Sequence, residues 1–234
     1  MMKSFFSALF LLIFSFSSSV AVSEIMDGRY LGAGSDSDIV IETDGEGRQR
    51  FLMNVLGANG HMCVDVAGTI IGNQGLVDDE EDLGLGVCEL DFQQNRHILD
   101  ITAKDYEGCR QYCGMRATLE GSYRMPPQNC TFNAMTAQRY EFKKLYDEKQ
   151  YGDAEAILNR LLSQCDFYLD FVQRDAIRND LALTLYHQGE PQRCLEVLSS
   201  TVTMDPNIYL PPLEQEMYED TEKAIRFNWG LCGG

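Results

Sequence analysis

A change of hydrophobic period near residue 130 constrains this chain more than any other feature. Before it, apolar residues alternate in short runs, "DIVIET", "RFLMNV", "MCVDVAG", "VCELDF", "HILDITA" and "RATLEGSY", separated by turn signals such as "DGEG", "GANG" and "AGT". Successive side chains of a strand point to opposite faces, so Phe51, Met53 and Val55 are expected on one side and Leu52 and Leu56 on the other. Six or seven such strands predict an antiparallel sandwich or small barrel over 24–130. About 100 residues suffice to bury one core of this kind. The pair "DGRYLG" and "EGSYR" places Tyr30 and Tyr123 on first and last strands that are expected to meet.

After residue 130 the spacing becomes helical. In "RYEFKKLYDEKQYGDAEAILNRLLSQC", Phe142, Leu145 and Lys149 form one stripe. Ala154, Leu158, Leu161 and Leu162 form another, beyond a turn expected at Tyr151 and Gly152. The pattern then returns at a constant offset of forty residues. Leu145, Tyr146 and Ala154 correspond to Leu185, Tyr186 and Cys194, and the second copy closes on "DPN". The segment 131–234 is thus expected to hold helical hairpins.

At these residues, about 135–208, the chain resembles the tetratricopeptide repeat family. The matching positions are Leu145, Tyr151, Ala154 and Leu158 in one copy and Ala182, Leu185, Gly189, Cys194 and Pro206 in the next. The offset exceeds the usual ~34 residues of that family, and Lys149 stands where glycine is expected. The resemblance implies ligands held against the first helices, at Arg139, Lys143, Tyr146, Asn179, Leu183, Tyr186 and His187. Arg139 and Lys143 are local positive charge suited to a carboxylate or an acidic peptide. A third segment, "PPLEQEMYEDTEKAIRFNW", reads as a capping helix that buries Leu213, Met217, Ile225 and Trp229.

Residues 1–23 carry Lys3, the apolar run "FFSALFLLIFSF" and the small residues "SSSVAVS", the order of a secretory signal peptide. The run is shorter than the roughly 20 residues of a bilayer span, so the mature chain is expected to be soluble and periplasmic or otherwise secreted. All eight cysteines lie beyond it and are expected to form four disulfides. An antiparallel helix pair brings its two ends together, which pairs Cys130 with Cys165 and, through the cap, Cys194 with Cys232. Cys63 is expected with Cys88, and Cys109 with Cys113, among three possible connectivities; a redox reading of "CRQYC" is the alternative for the last two.

The formal charge of the whole chain is −17, and removal of Lys3 makes it one unit more negative. Nucleic acid is excluded as a partner, because it requires basic groups that displace counterions from phosphates. "HMC" at 61–63, with Met53 and Met115, offers soft ligands, but Cys63 is needed for a disulfide. The acidic run Asp78, Asp79, Glu80, Glu81 and Asp82 lacks the spaced oxygens and turn glycine of a calcium loop and suits a basic protein. With three histidines and no nucleophile motif, neither catalysis nor a cofactor nor a metal is expected. The functional expectation is an exported protein-binding module. Its alternatives are an inhibitor or immunity protein for a cationic envelope enzyme such as a lysozyme, and an enzyme with a site in the β domain.

Overall fold

The computed structural model describes residues 24–78 and 87–234. Eight strands, β1 Gly28–Leu31, β2 Asp38–Thr43, β3 Gln49–Leu56, β4 Met62–Ile71, β5 Gln74–Val77, β6 Glu89–Asn95, β7 Ile98–Ala103 and β8 Gly121–Arg124, form a closed barrel. Each pairs antiparallel with the next, and β8 returns to β1 at Leu31 and Arg124. The seam brings the strands of Tyr30 and Tyr123 together, and both rings are buried. Of the runs read as strands, "RATLEGSY" is one only from Gly121 onward, because the Gly114–Ala117 segment closes a turn through Ala117 N–H and Gly114 O at 3.0 Å.

The barrel is solid. Phe51, Met53 and Val55 share one face, as alternation requires, and it is the inward one, while Leu52 and Leu56 point out. Phe51 and Phe92 meet at 5.3 Å between ring centroids, in space that two glycines leave open. A Cβ on Gly68 would stand 2.3 Å from Phe51 Cζ, and one on Gly75 2.3 Å from Phe92 Cε2. An eight-stranded barrel is just wide enough for its own side chains to fill it, and these do.

The connection from β7 to β8 carries helix α1 Tyr106–Arg110 and two disulfides that correct the expected connectivity. Cys63 bonds to Cys113 and Cys88 to Cys109. Residues 109–113 run in successive tight turns, with Tyr112 N–H on Cys109 O and Cys113 N–H on Arg110 O. That spacing holds the Cβ atoms about 5–6 Å apart in a helix, beyond the roughly 3.5–4.5 Å that a disulfide spans. Cys113 instead lies across from Cys63, near the start of β4, in an isolated antiparallel bridge.

Five longer helices follow: α2 Phe132–Asp147, α3 Tyr151–Gln164, α4 Phe171–His187, α5 Pro191–Ser199 and α6 Pro212–Leu231. Thr131 caps α2, and Asp170 and Gln173 form a reciprocal capping box on α4. The α2–α3 and α4–α5 connections close alike. Lys149 N–H reaches Tyr146 O and Gln150 N–H reaches Leu145 O; Gly189 and Glu190 do the same with Tyr186 and Leu185. Lys149 adopts φ 60° and Gly189 φ 81°, so the missing glycine changes the residue and leaves the turn. That turn precedes Tyr151, which is the first residue of α3.

Cys130–Cys165 and Cys194–Cys232 pair as expected. The cap is pinned a second time by Asp175, wholly buried on α4. Its carboxylate accepts from Tyr218 Oη of α6 at 2.7 Å and Val202 N–H at 2.7 Å, and pairs with Arg178 at 2.9 Å. This network sets the face of α6 that is buried, namely Tyr218, Ile225 and Asn228. Leu213 and Met217, expected inside, are out of phase with that stripe and stay exposed. Two separate cores result, one from Ile25 to Tyr123 and one from Cys130 to Cys232. They are joined by Arg124 over the Phe167 ring at 4.0 Å and by Tyr168 Oη donating to Met125 O at 3.2 Å. No described helix is long and apolar enough to cross a membrane.

Candidate functional site

Helices α2 and α4 face each other across an open groove of about 610 Å³. Its floor is built by buried Met135, Phe142, Leu161 and Ile177, one helical face of each neighbour supplying the apolar side chains. Phe132 and Tyr140 stand exposed at its edge. The polar exception is central, where the Arg139 guanidinium of α2 pairs with Asp180 of α4. Arg139 Nη1 is buried and has no hydrogen-bond acceptor among the described residues; its carbon centre lies 5.2 Å from the Phe142 ring centroid. Lys143 stands one turn further on and reaches Asp147, at 3.0 Å, from an exposed position. Tyr146 closes this end, and burial, with the negative charge of Tyr151, Asp180 and Asp147 adding to it, pushes its phenol above the ordinary tyrosine range.

Of the positions that the repeat resemblance singles out, Arg139, Lys143, Tyr146 and Leu183 line this groove. The other three do not. Asn179 faces the cap, accepting from Asn228 Nδ2 at 2.9 Å. His187 stacks on Tyr151 with centroids 5.1 Å apart, while Tyr146 and Tyr186 meet it edge-on, so His187 and Tyr186 belong to an aromatic cluster at the helix ends. The floor residues and Asp180 were not singled out, although Phe142 and Leu161 lie on the helical stripes. Their apolar type signals burial equally well in a closed core, and only the gap between α2 and α4 turns them into a lining.

The remaining candidates are tied up or undescribed. Asp78 pairs with Arg50, which also donates to Thr69 Oγ1 at 3.0 Å. Asp79, Glu80, Glu81 and Asp82 lie outside the described residues. Cys63 is bonded to Cys113, which removes the thiolate from the soft set around His61, and Met53 is sealed inside the barrel. Cys109 and Cys113 each have a distant partner, so "CRQYC" is not a local redox pair. All eight cysteines are bonded, which fits a protein living outside the reducing cytoplasm. Comparison of the chain with known protein families, with curated proteins and with solved structures finds no match in any of the three.

Proposed function

We propose that this chain is an exported, disulfide-stabilised protein-binding module of the cell envelope, tetratricopeptide-like in its helical part, that holds a segment of another protein between α2 and α4. The observation that carries this is the groove itself, apolar along its floor and open to the surface. Its volume lies within the roughly 300–1,000 Å³ typical of binding sites. From Phe132 to Tyr146 it follows α2 for about 21 Å at 1.5 Å per residue, enough for roughly six residues of extended chain. A segment with apolar side chains matches the floor. One carboxylate in that segment would meet exposed Lys143, a charge-assisted bond of the stronger kind. The barrel serves as a rigid support, since its own side chains fill its interior.

Peptides displayed on phage and selected on the mature protein test this. The expected winners combine apolar residues with an aspartate or glutamate, and bind at least about tenfold more weakly, roughly 1.4 kcal/mol, to Leu183→Glu. Lys143→Glu should weaken acidic winners more than neutral ones. Selected peptides whose affinity is indifferent to both substitutions would show that the groove is not the binding site.

A further inference from the structure

We propose that the outer face of β3 and β4, continued by the adjoining flank of α6, is a second docking surface, for a basic protein. A barrel wall that faces water carries polar side chains at its outward positions. Here Leu52 and Leu56 of β3 and Met62 and Val64 of β4 all point outward, with Met62 52% and Val64 54% exposed. Leu56 lies directly across from Met62. The strip does not end at the barrel. Leu213 Cδ2 comes within 3.0 Å of where a Cβ on Gly60 would stand, and Asn59 N–H donates to Glu214 Oε1 at 3.1 Å. Met217, one turn along α6, is 59% exposed. Leu213 and Met217 are the two residues whose apolar character promised burial in the cap and which the Asp175–Tyr218 network leaves outside.

Asn54 interrupts the outward row of β3 between Leu52 and Leu56, but an exposed apolar surface with a polar rim marks an interaction site, and the rim here states the sign of the partner. Asp65 follows Val64 on β4, and Glu216 and Asp220 lie within one turn of Leu213 and Met217 on α6, all three exposed, while Glu214 is held by Asn59. Of the nearby cations, Lys223 holds Glu219 at 2.6 Å and Arg50 holds Asp78, and Arg116 stands exposed beyond Leu56 and Gly57. With a whole-chain charge of −17, a second copy of this chain and an anionic lipid surface are both repelled, whereas a basic protein is steered in and its apolar centre seated. The surface shares no residue with the α2–α4 groove, so the two assignments stand or fall separately.

The test places a photo-reactive benzoylphenylalanine at Met217, and separately at Val64, in the full mature protein within the cells that make it. The expected result is a crosslink from both positions to one protein of basic isoelectric point, weakened by added salt. Its yield should fall by about tenfold, the effect of losing one apolar anchor, with Met62→Glu or Leu213→Glu, and with the double charge reversal Glu216→Lys, Asp220→Lys on the exposed helix face. Leu183→Glu in the groove should leave it unchanged. No crosslink, a crosslink to an acidic protein, to a second copy or to lipid, or a yield indifferent to all of these surface substitutions would overturn the proposal.

Discussion

The barrel and the helical part carry two disulfides each, and the bonds do different work. In the barrel, closure of the sheet leaves no free edge, and inward side chains from Tyr30 to Tyr123 fill the interior; the disulfides only fasten the α1 connection to the wall. In the helical part, each bond joins the two ends of a helical unit, Cys130 to Cys165 and Cys194 to Cys232. A short array has few neighbours per helix, so staples supply what packing does not. The same economy leaves the α2–α4 groove unfilled. The groove opens in the part whose core is least complete.

The largest expected effect follows from that contrast. Cys232→Ser releases α6 from α5 and should cost the helical part about 2–4 kcal/mol, while the barrel unfolds as before. Trp229, the only tryptophan, lies partly buried on α6 and reports the change as a red shift in fluorescence with denaturant. Equal destabilisation of both parts would show that they do not melt separately. The next effect is in the barrel, where packing should dominate. Gly75→Ala drives a methyl into the Phe92 ring and should cost about 1–3 kcal/mol by overpacking, measured by near-ultraviolet dichroism, with Trp229 fluorescence unaffected.

The smallest effect lies where the two parts meet. Asp36, at the end of the turn after β1, is pushed above the ordinary carboxylate range by burial and by the Asp170 carboxylate that caps α4. A raised folded-state pKa means that the protonated form favours the fold. The contribution is therefore present in acid and lost as pH rises through the shifted value. Asp36→Asn should raise the melting temperature slightly near neutral pH and leave it unchanged well below pH 3.8. An effect independent of pH would place its cause outside this carboxylate pair.

How far the sequence could be read follows from the range of each interaction. Alternation put Phe51, Met53 and Val55 on one face, the forty-residue offset aligned Leu145 with Leu185, and the antiparallel run of paired helices anticipated both helical disulfides, because each depends on neighbouring elements along the chain. β5 went unread: in "QGLV" a glycine, Gly75, takes an inward position and Leu76 an outward one, so no apolar alternation shows. The barrel disulfides depend on which strand lies beside a loop fifty residues away, and spacing along the chain carries no such information. The groove was half legible, with Arg139, Lys143, Tyr146 and Leu183 placed by helix position. Asn179, Tyr186 and His187 were lost to the cap and to an aromatic cluster, whose partners come from other helices.

The connectivity also sets how such a chain must mature. Threaded N-terminus first into an oxidising compartment, it presents Cys63, then Cys88, then Cys109 and Cys113, so an oxidase joining thiols in order of arrival makes a 63–88 bond that the finished barrel does not contain. The nested pairs can be reached only by waiting or by reshuffling, through attack of a later thiolate on the early bond. Cys130, Cys165, Cys194 and Cys232 arrive already in the order in which they pair. One half of this molecule thus reaches its native bonds by delay or by exchange, whereas the other half can close them in order of arrival.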